Sequence, residues 1–285
     1  MIESFGSRLE RVFARSGRLC VGIDPHSFLL SAWGLADTAE GAREFGLRVV
    51  EATAGRAGII KPQVAFYERF GSAGYRALEE VLAAARAADL LVIADAKRGD
   101  VGTSVEAYGQ SWLAEGSPLE ADALTLAAFQ GVGSIAAPLA LARERGKGIF
   151  VLAATSNPEG RDIQRARTAD GRTVSRRILD DVAQWNAGAV DPATIGDVGL
   201  VIGATLDLSE FDLDLETPPD RVLPILAPGF GAQGARLEDT TKIYGPLSSG
   251  VIISASRSVL SAGPENIAEA VKTMSTQITD EYHRA

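Results

Sequence analysis

The sequence predicts an α/β protein built as a single (β/α)8 TIM barrel over residues 1–285. Three observations lead there. Eight short apolar runs recur along the chain, helix-like amphipathic stretches separate them, and the runs are apolar on both faces. Strands of that kind alternating with helices imply a parallel sheet covered by helices. Length alone would allow about two domains, but single barrels of ~250 residues are routine.

The first run, Leu19–Ile23, ends at Asp24-Pro25-His26. A doubly wound dinucleotide-binding sheet, the alternative fold, wants a Gly-rich turn at this place, and there is none. The second run, Gly58–Ile60, leads into Lys61, and the segment Arg69–Ala88 then repeats apolar residues at helical spacing. The third run, Leu90–Ala94, opens into Asp95-Ala96-Lys97-Arg98-Gly99-Asp100. Ala121–Leu126 is the fourth and Gly148–Ala153 the fifth, with Thr155-Ser156 just beyond it. The widest gap between runs extends from Thr155 to Asp197. Its polar first part, SNPEGRDIQRARTADGRT, reads as a long loop, and Val174 to about Gly188 reads as a helix. Long loops in compact domains are often lids, although a solvated connector fits this composition equally. Val198–Ile202, Val222–Ala227 and Gly250–Ser254 complete the set.

Composition narrows the function. Hydrophobic residues make up 46% of the chain and charged residues 23%, which suits a full globular core. A net charge of −9 argues against non-specific binding to nucleic acid or anionic membranes. It leaves room for an anionic small substrate, which a local cluster of Lys, Arg and backbone N–H groups can hold. Cys20 is the one cysteine, so no intrachain disulfide can form, and its apolar neighbours mark it as a core residue. With two histidines, His26 and His283, no Cys/His cluster has zinc spacing. The charged N-terminus is not a signal peptide, and no apolar run nears the ~20 residues of a membrane span. The expectation is a soluble, cytoplasmic protein. Trp33, Trp112 and Trp185 fall in helix-like segments and read as packing residues.

In barrels the working residues lie at the C-terminal ends of the strands. Those ends carry Asp24, Lys61, Asp95, Lys97, Ser156, Pro228-Gly229 and Arg257. One Asp or Gly at a strand end means little, but two lysines and two aspartates on one rim are harder to dismiss. Asp95 and Lys97 are two apart in an extended segment and so point to the same side. Asp100 comes after Gly99, where a glycine permits a sharp turn. Flanking carboxylates favour the ammonium form of Lys97, a proton donor rather than an imine-forming nucleophile. A surface salt-bridge cluster is the plain alternative. The run Pro228-Gly229-Phe230-Gly231-Ala232-Gln233-Gly234 comes after strand seven and Arg257 after strand eight. These are the loops where phosphate commonly binds in this fold, and Arg257 has the fork that grips it. Arg161, Arg165 and Arg167 lie in the long loop, either near phosphate or as a solvated charge run. His26 sits at a strand end with no partner in sequence.

Six ordered motifs carry a resemblance over nearly the whole chain. They are Val21–Pro25, Lys61-Pro62-Gln63-Val64-Ala65-Phe66-Tyr67-Glu68, Asp95–Gly102, Thr155-Ser156-Asn157-Pro158, Pro228–Gly234 and Arg257. In these the chain resembles the orotidine 5'-phosphate decarboxylases, specifically their bacterial type 2 branch. The resemblance implies decarboxylation of orotidine 5'-monophosphate to UMP and CO2, the last step of de novo UMP synthesis, without cofactor or metal. It implies that Asp24 and Lys61 hold the ribose hydroxyls, with Lys61 also bonded to Asp95. Asp95 would lie against the substrate carboxylate and Lys97 would protonate the ring carbon. Ser156 would bond the pyrimidine, Pro228 would line the substrate pocket, and Gln233 and Arg257 would bind phosphate. Asp100, with Ser104 at the same edge, would reach the neighbouring subunit's site, implying a homodimer with shared active sites. The stretch Leu126-Ala127-Ala128-Phe129-Gln130-Gly131 departs from a Pro-Tyr-Leu-Gly-like pattern, and Ser256 stands where other branches often have glycine. A metal-dependent sugar-phosphate decarboxylase or aldolase would share Asp-x-Lys-x-x-Asp, but not Lys61-Pro62-Gln63 or the Pro-Gly-x-Gly-Ala-Gln run. A non-catalytic barrel should have lost one of Lys61, Asp95, Lys97 and Asp100, and all four are present.

Overall fold

The computed structural model describes residues 2–189 and 192–284, the last two of these by backbone alone. Eight strands form a closed, all-parallel barrel in sequence order: β1 (Leu19–Ile23), β2 (Ile59–Pro62), β3 (Leu91–Arg98), β4 (Ala123–Leu126), β5 (Gly148–Ala154), β6 (Val198–Ile202), β7 (Ile225–Pro228) and β8 (Val251–Ala255). The ring shuts where Leu19 of β1 pairs with Ile253 of β8. Each apolar run contributes a strand. β2 and β3 run on past their apolar residues into Lys61 and through Asp95–Arg98. Backbone pairing is indifferent to side-chain polarity, so a ladder continues wherever the mouth accepts charged groups. β4 and β7 begin later than their runs.

Helices cover the outside. In chain order they are α1 (Phe5–Ser16), α2 (Ser27–Ala32), α3 (Ala39–Thr53), α4 (Ala65–Glu68), α5 (Gly71–Ala87) and α6 (Gly102–Leu113). After these come α7 (Ala136–Arg145), α8 (Arg161–Arg165), α9 (Val174–Ala187), α10 (Thr240–Tyr244), α11 (Arg257–Leu260) and α12 (Ile267–Arg284). The polar segment after Ser156 is thus not a plain loop. Pro158–Gly160 makes a 3-10 turn and α8 comes next, while α9 matches the helix expected from Val174.

There are two cores. The outer one lies between sheet and helices and includes Trp33 and Trp112. The inner one fills the barrel with Cys20, Ile59, Ile93, Phe150, Leu226 and others, and α1 closes it from below. Helix α1 does so because Phe5, Leu9 and Val12 share one face at helical spacing, with Ser4 capping its first turn. Phe5 packs edge-on against Phe150 at 6.0 Å between ring centroids. Asp197 accepts the Gly6 N–H at 2.8 Å, so a group from the barrel floor holds the helix start. Burial pushes the Cys20 thiol up to about 12, which rules it out as a nucleophile at neutral pH. Trp185 is half-buried beneath the Arg143 guanidinium, 4.6 Å from its ring centroid. Among the described residues no helix is long and apolar enough to cross a membrane.

Candidate active site

The charged run on β3 is held in a conformation that strand geometry alone does not provide. Ala94 pairs with Leu124 and Arg98 with Leu126, so four steps on β3 face two on β4 and β3 bulges by two residues. Within the bulge Lys97 takes φ +48°, in the left-handed region. That conformation costs a non-glycine residue about 1–3 kcal/mol and persists only where the surroundings enforce it. Here the Lys97 N–H donates to Thr125 Oγ1 at 2.9 Å. Next door, Arg98 donates to Glu68 and to the Ala96 carbonyl, and its own carbonyl accepts the Ala127 N–H at 2.8 Å. Asp95 and Lys97 do share a side, as expected, but a bulge brings them together rather than simple alternation. Gly99 is also needed for another reason than a turn. A Cβ there would stand 2.4 Å from the Ala127 carbonyl oxygen, and the positive φ belongs to Lys97.

Asp95 is the hub. Its Oδ1 accepts Lys97 Nζ at 2.5 Å and Thr125 Oγ1 at 3.0 Å. Its Oδ2 accepts Lys61 Nζ at 2.9 Å and Gln63 Nε2 at 3.1 Å. A carboxylate offers about four lone-pair sites, so four donors saturate it. Burial by itself would raise the Asp95 pKa, but the charges of Lys61 and Lys97 outweigh it and hold the carboxyl well below its ordinary range. Lys61 is buried at the end of β2. Burial would lower its pKa, and the charges of Asp95 and Asp24 overcome that and hold it above its usual value. Lys97 differs: 44% of its side chain is exposed. One N–H goes to Asp95, which leaves two of the ammonium's three donors for other groups.

Lys61, Gln63, Asp95 and Lys97 line a cavity of about 630 Å³ at the C-terminal ends of the strands. Asp24, Lys61, Asp95 and Lys97 enter it from β1 to β3, and Ser156 from the end of β5. Pro228, Gln233 and Arg257 enter from the β7 and β8 ends. Asp24 Oδ1 is buried and has no protein partner, so it is free to accept from a ligand hydroxyl. The β7 loop turns on Gly229, Gly231 and Gly234 at φ +121°, +70° and +103°, values that side chains rarely adopt. At β8, Ser256 packs where a Cβ on Gly22 would lie 1.9 Å from its Oγ, so the serine is matched by a glycine on β1. His26 lines the mouth with its ring 5.1 Å from Phe28 and 4.1 Å from Phe66.

The segment after Ser156 is clamped beside the cavity. Gln164 accepts the Thr155 N–H at 2.9 Å and donates to Thr155 Oγ1 at 2.7 Å. The loop arginines turn elsewhere. Arg161 and Arg165 pair with Glu210, and Arg167 pairs with Asp212 at 3.0 Å. Asp100 and Ser104 do not line the cavity: Asp100 is half-buried and Ser104 exposed. Val101, the next residue after Asp100, is an exposed apolar side chain at 53%, and Phe129 beyond β4 is another at 80%. Three site residues escaped sequence reasoning. Gln63 stands inside a motif but takes its meaning from its bridge to Asp95. Thr125 is a polar residue within an apolar run, and that mismatch was the available signal. Gln164 carried none.

A second cavity of about 500 Å³ lies at the opposite end, lined by Phe13, Arg18, Thr194 and Tyr282. Its polar groups are spent on the fold. Arg18 sits between the Phe13 and Tyr282 rings and donates to the Ser249 and Val251 carbonyls. Among the described residues no group of three or more His, Cys, Asp or Glu side chains is gathered to hold a metal ion.

Known proteins share this fold and much of this sequence. The model of the orotidine 5'-phosphate decarboxylase / HUMPS family matches residues 17–274. A Salinispora tropica orotidine 5'-phosphate decarboxylase is 48% identical over 94% of this chain and 93% of its own length. A Corynebacterium glutamicum enzyme of the same name is 42% identical over 97% of each chain. Among solved structures, Leishmania donovani OMP decarboxylase superposes with a TM-score of 0.77 at 31% identity, covering 98% of both chains. A Streptomyces avermitilis protein assigned to the same enzyme reaches a TM-score of 0.91 at 45% identity, over 98% of this chain and 96% of its own. The barrel, its charged mouth and these likenesses agree: the chain belongs to the orotidine 5'-phosphate decarboxylase family.

Proposed function

We propose that the protein is an orotidine 5'-phosphate decarboxylase, converting orotidine 5'-monophosphate to UMP and CO2 as the last step of UMP synthesis, with its own residues doing the chemistry. The observation that carries this is the pair of ammonium groups on one saturated carboxylate, Lys61–Asp95–Lys97, at the floor of the cavity. Breaking the bond to the carboxylate leaves an electron pair on the ring carbon and releases neutral CO2. The pyrimidine offers no imine or thiazolium sink, so the transition state must be favoured electrostatically. The Lys97 ammonium does this and then gives its proton to that carbon, and solvent returns a proton to the amine. Asp95 has no proton and no vacant lone pair, so it repels the substrate carboxylate and not the departing CO2.

The rest of the nucleotide anchors it against that repulsion. Arg257 and Gln233 bind the phosphate, Asp24 and Lys61 the ribose hydroxyls, and Ser156 the pyrimidine, with Pro228 against the ring. In an eight-stranded ring β3 and β7 lie across from one another, so the reacting and phosphate ends span the mouth. The segment from Ser156 through α8 closes over the ligand and excludes water. Asp100 and Ser104 serve the site of a second copy, and exposed Val101 and Phe129 supply apolar area for that contact. The working unit is thus one barrel domain per chain, paired as a cytoplasmic homodimer.

Ultraviolet absorbance tests the reading. Purified protein mixed with orotidine 5'-monophosphate, with EDTA present, should show the fall that accompanies UMP formation. Lys97→Ala should abolish turnover while UMP binding survives. An unchanged substrate sinks the activity, and turnover retained by Lys97→Ala sinks the role of the lysine.

A further inference from the structure

We propose that Thr125 is a positioning residue for the decarboxylation, fixing Lys97 relative to Asp95 through one buried hydroxyl. The inference rests on the decarboxylase reading. Thr125 lies in the middle of β4, is fully buried, and does not line the cavity. Its Oγ1 contacts both working groups, the Lys97 N–H at 2.9 Å and Asp95 Oδ1 at 3.0 Å. Proton inventory fixes the direction of both bonds. A backbone N–H can only donate and an ionised carboxylate can only accept, so the single hydroxyl proton must point at Asp95. That oxygen of Asp95 is the one that accepts Lys97 Nζ at 2.5 Å. Thr125, the Lys97 backbone and the Lys97 side chain therefore close a ring of hydrogen bonds through Asp95.

The ring explains how a lysine stays in a conformation that favours glycine. The bulge leaves the Lys97 N–H without a strand partner, since register with β4 is interrupted between Ala94 and Arg98. An orphaned N–H in this setting would draw the backbone toward an ordinary extended path. That path would carry the ammonium off Asp95 and out of line with the reacting carbon. Because the hydroxyl meets neither the phosphate nor the ribose end, its removal should act on the chemical step more than on binding.

Two substitutions separate hydroxyl from bulk. Thr125→Val keeps the shape and removes the hydrogen bonds, and Thr125→Ser keeps the hydroxyl and removes the methyl. Wild-type turnover of orotidine 5'-monophosphate is measured first, so a failure of the parent reading shows itself before any variant is compared. Thr125→Val should lower kcat by about 10- to 100-fold, the range for losing a hydrogen bond to a charged group. UMP affinity should stay within about threefold, because that contact is remote from the nucleotide's binding ends. Thr125→Ser should recover most of the lost kcat. The Lys97 amide should exchange with solvent faster in the valine protein than in the serine one. If the valine chain does not fold, Thr125→Ala takes its place and is read against Thr125→Ser, from which it differs by the hydroxyl alone. Unchanged kcat without the hydroxyl overturns the proposal, as does a serine variant no better than valine, or a loss of UMP binding in step with kcat.

Discussion

At the residue scale the site is governed by how Asp95 is compensated. Lys61 and Asp95 are both nearly sealed from water, with side chains 8% and 7% exposed. Breaking an isolated buried pair costs about 3–5 kcal/mol, and Asp95 without Lys61 would keep Lys97, Thr125 and Gln63, which makes that figure an upper bound here. Lys61→Ala should therefore lower unfolding stability at pH 7 by up to about 3 kcal/mol, measured by urea denaturation. The sign of its pH dependence is set by Asp95. Folded Asp95 binds its proton only at a pH below that at which the unfolded chain does. The unfolded state thus holds more protons in acid, and this contribution is present above about pH 4 and lost as the pH falls through the folded value. Lys61 runs the other way, its share being lost only as pH rises above the ordinary lysine range. The gap between wild type and Lys61→Ala should accordingly narrow on acidification. A gap independent of pH would show that packing, not charge, made the difference.

At the element scale the barrel separates stability from chemistry. Helix α1 seals the bottom and the bulge in β3 shapes the top. Phe5 is fully buried against Phe150. Phe5→Ala should cost about 3–5 kcal/mol through the cavity it leaves, while kcat per folded molecule stays near wild type. A drop in kcat with the fold intact would mean that the floor of the barrel is coupled to its mouth. The bulge is the opposite case, since it holds Lys97 at a positive φ that disfavours any residue but glycine, and that side chain bonds Asp95 at the mouth.

At the scale of the whole molecule, the proposed dimer makes the site a property of two chains. Asp100 and Ser104 do not line their own chain's cavity, and the neighbouring Val101 is an exposed apolar side chain. Lys97→Ala and Asp100→Ala should each be inactive alone. Dissociated and reassembled together, they should regain about a quarter of wild-type activity, because random pairing makes half the dimers mixed and leaves one intact site in each. No recovery in a mixture shown to contain mixed dimers would place Asp100 in its own chain's site.

Much of this could be read from the chain. Strand order, the strand-end placement of Asp24, Lys61, Asp95 and Arg257, and the glycine loop after β7 all come from local pattern, because a barrel turns sequence order directly into spatial order. Apolar runs mark strands, and the residues just beyond each run must lie at the mouth. Only the tertiary structure decided how those residues meet. Thr125 is 28 residues from Lys97 and 30 from Asp95, and pairing between β3 and β4 brings them together. The bulge that gives Lys97 its positive φ is a mismatch between two strands, a quantity no single segment contains. Likewise the arginines of the long segment find Glu210 and Asp212 across the β6 end. Periodicity records which face of an element is apolar. Register, hydrogen-bond closure and the compensation of buried charge arise between elements, and there the fold alone supplies the answer.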